Sequence, residues 1–194
     1  MATYKEIHGT VIETVTSDPS NPVNGQVWYN STDQVLKGFT SNPAGAWATG
    51  GNLNTARRFL GGSGIQTAAL AFGGATAPAK VANTEKYDGS SWTEVSDLNT
   101  ARNGIAGAGT QTSAIAAAGF TTTTVANAES WNGSSWTNVS NINTARSSLG
   151  GSGADNTAAL IFGGDPSSAL TESWDGSSWT EVGDLNTPRA ENGG

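Results

Sequence analysis

A short arginine motif recurs along this chain of 194 residues. The motif reads LNTAR at 53–57 and 98–102, INTAR at 142–146 and LNTPR at 185–189. Successive arginines are therefore 45, 44 and 43 residues apart: Arg57, Arg102, Arg146 and Arg189. Repeats of this length are typical of solenoids, arrays and propellers, in which each unit buries apolar surface against its neighbours.

Each repeat is predicted to form four short strands, labelled A to D, with strand A starting at the arginine. The segments are rich in Ala, Leu, Ile, Trp and Thr, are bounded by Gly, Asn, Asp or Ser, and carry no apolar stripe at helical spacing. An Asx-Gly pair separates strand C from strand D in every repeat: Asp88-Gly89, Asn132-Gly133 and Asp175-Gly176. Such pairs favour tight hairpins. The fold class predicted is therefore all-β.

Two further marks recur in order. Strand B ends in a small pair, Gly73-Gly74, Ala118-Gly119 or Gly163-Gly164, and strand D opens with Trp92, Trp136 or Trp179. An aromatic residue, such as Tyr87 or Trp174, also precedes the C–D turn. Over residues 46–194 this pattern resembles the kelch repeat. The second unit departs from it, because Ala118 replaces the first glycine of the double glycine. The resemblance implies kelch-like β-propeller blades at 53–97, 98–141 and 142–184, with tryptophans packed between blades. A lone strand D at 46–52, containing Trp47, and a lone strand A at 185–194 would remain, so a longer chain or neighbouring subunits would complete the ring.

Glutamates repeat together with the arginines, three residues before each C–D turn, at Glu85, Glu129 and Glu172. The arginines have two interpretations: a ring of cations near a channel mouth, suited to acidic sugars, or ion pairs inside each blade. We favour the internal pairs, because the arginine and the glutamate begin strands that run in the same direction. These six residues are therefore predicted to be structural.

Residues 1–45, the N-terminal module, lie outside the repeat. The stretch EIHGTVIETV alternates as a half-buried strand would, and QVWYNST and QVLKGFT suggest a strand pair. The segment NPVNGQVWYNSTDQVLKGF is similar to a short module of bacteriophage tail-fibre and other virion proteins, which implies an anchor to a fibre or capsid surface. Residues expected to contact the partner are Trp28, Tyr29, Val35 and Leu36. The alternative is that they pack on the first blade of their own chain.

The composition restricts the chemistry available. His8 is the only histidine and there is no cysteine, which argues against a copper oxidase, a Ser-His-Asp hydrolase and a disulfide framework. The acidic residues mostly repeat with the blades, as structural residues would, and a glycosidase needs two carboxylates in one cleft. We therefore predict no enzyme activity, no cofactor and no metal site. The net charge of −7 gives no electrostatic basis for binding nucleic acid, and no apolar run is long enough to insert in a membrane.

Length varies in the B–C loops. From the glycine ending strand B to the C–D turn the spacing is 14, 13 and 11 residues. Loops on a rigid scaffold commonly carry binding function, and these share one face with the D–A links. The candidate recognition residues are Thr76, Lys80, Thr122, Thr123, Asp165 and Ser167.

The expected function is a non-enzymatic bacteriophage virion surface protein, a tail-fibre component or a capsid decoration. It would be assembled in the host cytoplasm and would present the propeller to glycans or proteins of the host surface. Its N-terminal module would contact other virion proteins or copies of itself. The main alternative is an intracellular kelch-type scaffold for protein interactions, and a propeller enzyme acting on glycans is a weaker one.

Overall fold

A computed structural model of the chain describes residues 12–23, 25–39 and 49–190. Every element of regular secondary structure in these ranges is a β-strand, so the all-β prediction is confirmed. The chain divides into two compact units, Met1–Thr49 and Gly50–Gly194. Residues 6–11 of the strand predicted at 6–15, with His8, and most of the predicted lone strand D, with Trp47, lie outside the described residues.

The first unit contains one small sheet of three strands. These are β1 (Glu13–Val15), β2 (Val27–Asn30) and β3 (Val35–Gly38). Strand β1 pairs in parallel with β2, and β2 pairs antiparallel with β3. The turn between β2 and β3 is held by Asn30, whose Oδ1 accepts hydrogen bonds of 3.0 Å from the N–H groups of Thr32 and Asp33.

The second unit contains three antiparallel sheets of four strands, one from each repeat. Sheet 1 comprises β4 (Gly61–Ile65), β5 (Ala68–Phe72), β6 (Thr84–Tyr87) and β7 (Trp92–Val95). Sheet 2 comprises β8 (Ala106–Gly109), β9 (Ala114–Ala117), β10 (Ala128–Trp131) and β11 (Trp136–Val139). Sheet 3 comprises β12 (Gly150–Asp155), β13 (Ala158–Phe162), β14 (Thr171–Trp174) and β15 (Trp179–Val182). The strands of each sheet pair in chain order.

The first strand of each sheet begins later than predicted. The arginine was placed at the start of strand A, but β4 begins four residues after Arg57. The intervening segment crosses the end of the sheet, where Arg58 pairs with Ala75 through backbone hydrogen bonds of 3.0 and 2.8 Å. The arginine side chain therefore enters the end of the sheet instead of projecting from a strand face.

Tryptophans fill the space between adjacent sheets. Trp131 and Trp136 of sheet 2 share a buried cluster with Leu70 and Phe72 of sheet 1. The Phe72 and Trp136 rings meet edge to face, with centroids 4.9 Å apart, and the Trp136 Nε1–H donates to the Thr84 Oγ1 at 3.0 Å. Between sheets 2 and 3 the equivalent cluster contains Ile115, Ile161, Trp174 and Trp179. Burial of these large aromatic groups stabilises the stack of sheets.

Glycines let the first strands approach one another. A Cβ placed on Gly107 of β8 would lie 2.2 Å from the carbonyl oxygen of Gly62 in β4. A Cβ on Gly151 of β12 would lie 2.5 Å from the Gly107 oxygen. The backbones of β4, β8 and β12 are thus in direct contact, side by side, and no side chain fits between them.

The end of the second strand uses positive φ angles in all three sheets. Gly73 has φ 62° and Gly163 has φ 70°, and Ala118 adopts φ 63° at the same place. The sequence departure at Ala118 therefore leaves the turn intact, although an alanine pays a steric cost in this region of φ.

Candidate functional site

The most specific polar geometry in the chain is a buried arginine–glutamate pair at one end of each sheet. In sheet 2 the Arg102 Nη1–H donates to the Glu129 Oε1, and both side chains are fully buried. Arg102 also donates through Nε to the Ala118 carbonyl at 2.9 Å. The Glu129 Oε2 accepts from the Asn99 N–H at 2.7 Å. The pair thus fastens the arginine segment to the third strand of its own sheet.

The other sheets repeat this arrangement. Arg146 donates to Glu172 at 2.6 Å and to the Gly163 carbonyl at 3.0 Å, and Arg57 donates to Glu85. Burial raises the pKa of Glu85, but the Asn54 N–H and the Arg57 guanidinium outweigh it and hold that pKa below its ordinary value. The three arginines are internal ion-pair partners with buried side chains, so they do not form an exposed ring of cations.

The Asx residue of each C–D turn accepts hydrogen bonds from the two serines that follow the glycine. The Asp175 Oδ1 accepts from the Ser177 N–H, the Ser177 hydroxyl and the Ser178 N–H, each at 2.8 Å. Bonds from Ser178 and Ser177 hold the pKa of Asp175 down at about 2. The pKa of Asp88 is lowered by its own two serines in the same way. The glycines supply the turn with φ angles of 93–96°.

These carboxylates should make the stability of the chain depend on acid. The pKa of Asp175 is lower in the folded chain than its ordinary value of 3.8, so its contribution is present above that value and is lost as the pH falls towards 2. We expect the melting temperature to fall over this window in circular-dichroism melts. In the variant Asp88→Asn/Asp175→Asn, the fall between pH 4 and 2 should be smaller than in the unmodified chain. An identical fall in both proteins would contradict this role.

The six candidate recognition residues lie in the loops between the second and third strands. Thr122, Thr123, Asp165 and Ser167 are exposed, whereas Thr76 and Lys80 are half-buried. The Lys80 Nζ lies 5.0 Å from the centre of the Phe120 ring, so the loops of sheets 1 and 2 contact each other. Backbone bridges connect these loops to the arginine segments, at Arg58 with Ala75 and at Asn103 with Phe120. The loops and links therefore share one end of the stack.

One set of polar contacts between sheets was not predicted from the sequence. The Gln111 Nε2 donates to the carbonyl oxygens of Tyr87 and Ala69 in sheet 1. The Asn156 Nδ2 donates to the Trp131 carbonyl of sheet 2 at 3.0 Å. The signal was present as a recurrent Gln-Thr or Asn-Thr pair before each second strand, at 66–67, 111–112 and 156–157.

Comparison with protein-family models and with curated proteins gives no match. The residues of the chain itself are therefore the basis for assigning its function. Within the described ranges, no group of three or more His, Cys, Asp or Glu side chains is placed to hold a metal ion. The described residues also contain no helix that could span a membrane.

The predicted anchor residues divide into two groups. Trp28 is buried, with 5% exposure, and its Nε1–H donates to the Asp18 Oδ1 at 3.0 Å, so it is not available as an anchor. Tyr29 is half-buried. Val35 and Leu36 are exposed by 42% and 61%, and Val23, which sequence analysis did not select, by 66%. The large apolar residues that are exposed among the described residues of this unit are therefore aliphatic.

Asp18 holds the small sheet together through several donors. It accepts from the Lys37 Nζ at 2.8 Å, from the Asn30 Nδ2 at 2.8 Å and from the Trp28 indole. Hydrogen bonds from Lys37, then Asn30 and Trp28, lower the pKa of Asp18 to about 2. This network explains why Trp28 faces inward: its polar N–H is satisfied within the sheet.

Proposed function

We propose that the protein is a non-enzymatic virion surface protein of a bacteriophage, with kelch-like propeller blades that bind the host surface. The observation that carries the proposal is the combination of two parts in one chain. One is a β-hairpin unit whose sequence is similar to a virion module. The other is a stack of repeated sheets whose loops differ in length at one end. The proposed virion function depends on the similarity of the first unit to a virion module. The proposed propeller depends on the similarity of the repeats to the kelch repeat.

The stack supports the propeller interpretation. Each sheet is a four-stranded antiparallel meander, and the first strands β4, β8 and β12 lie against one another. In a propeller the innermost strands of the blades surround a central channel in this way. These strands line an open groove of about 570 Å³, whose walls are mostly glycine, serine and alanine backbone.

The loop end of the stack fits polar recognition. Thr122, Thr123 and Ser167 place hydroxyl groups in solvent. Hydroxyl groups bind sugars or protein backbone through neutral hydrogen bonds, each of which contributes only about 1 kcal/mol. Adhesion through such contacts needs many copies acting together, which a virion supplies.

Residues 1–45 would attach the protein to the particle. Val35 and Leu36 of β3 are exposed on opposite faces of the small sheet, and Val23 is exposed in the segment before β2. Burial of a large aliphatic side chain contributes about 1.5–3 kcal/mol. Buried Trp28 stabilises the sheet and takes no part in this contact. The partner is another virion protein or another copy of the chain.

The test is incorporation into particles. Deleting residues 1–45, or changing Leu36 to Asp, should leave residues 50–190 folded but remove the protein from purified virions, measured by quantitative mass spectrometry of the particles. The control is Ile65→Asp, an apolar-to-acidic change at a residue of β4 that is 68% exposed, which should not affect attachment. Normal incorporation of the truncated protein, or absence of the intact protein from particles, would refute the anchor.

An intracellular interaction scaffold is the second candidate. It is favoured by the same exposed loops, since they contain no feature specific to sugars. Detection of the chain in purified particles separates the two functions, because a scaffold of the host cell interior would not be retained there.

A further inference from the structure

Among the described residues, no neighbouring sheet covers one face of sheet 1 or one face of sheet 3, although the same faces are covered on the equivalent sheets. On sheet 1 this face carries Tyr87 and Trp92, which are both half-buried. The residues at the same positions of sheets 2 and 3 are exposed by only 1–6%: Trp131, Trp136, Trp174 and Trp179. The difference arises because sheet 2 is covered by sheet 1 on this side, and sheet 3 is covered by sheet 2.

The outer face of sheet 3 shows the complementary difference. Leu160 of β13 is 37% exposed. Its equivalents are Leu70 on sheet 1 and Ile115 on sheet 2, and each is exposed by 1% beneath the following sheet. The covering surface is known from the structure, because it is the tryptophan-bearing face of the next repeat. The outer face of sheet 3 therefore has the shape and chemistry to receive the open face of sheet 1.

Polar groups indicate the same pairing. Gln111 and Asn156 each reach back to a carbonyl of the preceding sheet, whereas their equivalent Gln66 on sheet 1 is exposed. Backbone bonds also pass from sheet to sheet: the Gly104 N–H donates to the Phe59 carbonyl, and the Ser148 N–H donates to the Gly104 carbonyl, both at 2.8 Å. A Phe59 N–H from a second molecule, bonded to the Ser148 carbonyl, would continue this series.

We propose that two copies of this chain associate, with the open face of sheet 1 of each copy packed on the outer face of sheet 3 of the other. The described residues form three four-stranded sheets per copy, which gives six in the pair, the only multiple of three within the four to eight blades usual for a propeller. Contacts between unlike faces close into a ring when the rotation per sheet permits it, so the expected product is a closed dimer. This inference does not depend on the proposed virion function.

Two short segments occupy the junction in the single chain. The Gly51 carbonyl accepts from the Trp92 Nε1–H at 3.1 Å, as the Ser140 carbonyl of sheet 2 accepts from Trp179. The Leu185 N–H donates to the Ala169 carbonyl on sheet 3, as the Leu98 N–H donates to Ala82 on sheet 1. Residues 50–52 thus occupy on sheet 1 the place that the end of the preceding sheet occupies on sheet 3. Residues 185–190 occupy on sheet 3 the place that the arginine segment of the next repeat occupies on sheet 1. Association replaces both segments with equivalent segments of the second copy.

Glycine 62 offers a sharp test. A Cβ on Gly62 meets nothing closer than the Leu70 carbonyl at 3.6 Å, so Gly62→Ala should fold normally. In the pair, Gly62 takes the place of Gly107 and Gly151, where a Cβ would lie 2.2 and 2.5 Å from a backbone oxygen of the preceding sheet. The alanine methyl group should therefore block association. The matched control is Gly183→Ala, since a Cβ there meets nothing within 4 Å and serine occupies the equivalent positions 96 and 140.

The measurement is the molar mass of the chain by sedimentation velocity and light scattering over a wide range of protein concentration. The unmodified chain and Gly183→Ala should approach the mass of two copies, and Gly62→Ala and Leu160→Asp should remain single. Circular dichroism checks that both variants are folded. A single-copy mass for the unmodified chain, a mass above two copies, or a dimer that survives Gly62→Ala would overturn the proposal.

Discussion

Replacing Glu129 with glutamine is expected to lower the free energy of unfolding by about 3–5 kcal/mol, the usual cost of breaking a buried ion pair by removing one partner. Glutamine preserves the shape of the side chain but leaves the Arg102 guanidinium without a counter-charge. Both side chains have 0% exposure, so water cannot replace the lost carboxylate. Urea unfolding followed by tryptophan fluorescence measures the change, at a protein concentration at which the chain is a single copy.

The control is Arg58→Met, which removes an arginine from the equivalent segment of the first repeat. The Arg58 side chain is exposed and lies 5.5 Å from the Phe59 ring, a contact worth at most about 1 kcal/mol at such a site. If Glu129→Gln costs no more than Arg58→Met, the buried pairs do not stabilise the sheets. The double variant Arg102→Met/Glu129→Leu should lose less free energy of unfolding than the sum of the losses in Arg102→Met and Glu129→Leu alone, because no buried charge remains.

The strands and their turns were predictable because each is marked by local chemistry that the repeat presents three times. Asx-Gly at the C–D turn specifies a positive φ at Gly89, Gly133 and Gly176, and all three adopt it. The pairing of arginine with glutamate followed from their recurrence in every repeat, at separations of 28, 27 and 26 residues, since two charges that recur together are explained most simply by each other. The three repeats of one chain thus show which residues recur, as an alignment of related sequences would.

Features without a recognisable local signal were predicted less well, even where they recur in every repeat. Trp28 occurs once, and its inward position depends on Asp18 and Asn30, which are 10 and 2 residues away and carry no pattern. The start of each first strand was misplaced because the arginine segment is extended like a strand, although it crosses the end of the sheet. Gln111 was overlooked because a glutamine before a strand resembles ordinary loop composition, and only its bond to the Tyr87 carbonyl of sheet 1 reveals its role.

Replacing Gly107 with alanine is expected to lower the free energy of unfolding. Inserting a methyl group into packed structure usually costs about 1–3 kcal/mol, and we expect a cost at the upper end of that range. The new Cβ would lie 2.2 Å from the Gly62 carbonyl oxygen and 2.8 Å from the Phe72 Cζ. A flexible side chain would move aside, but the closer atom belongs to the backbone of β4. Relief would therefore require sheets 1 and 2 to separate, which exposes the Phe72 and Trp136 contact.

Gly62→Ala is the matched control, since it makes the same change at the same position of the preceding repeat. Its Cβ has a 3.6 Å contact, and alanine within a strand is more favourable than glycine by about 0.5–1 kcal/mol. Urea unfolding of the single-copy chain should therefore show a loss for Gly107→Ala and no loss for Gly62→Ala. Equal effects of the two alanines would mean that the first strands do not lie in contact. A loss of stability for Gly107→Ala without a loss for Gly62→Ala would instead show that contact with the preceding sheet, and not the repeat sequence alone, makes glycine necessary at position 107.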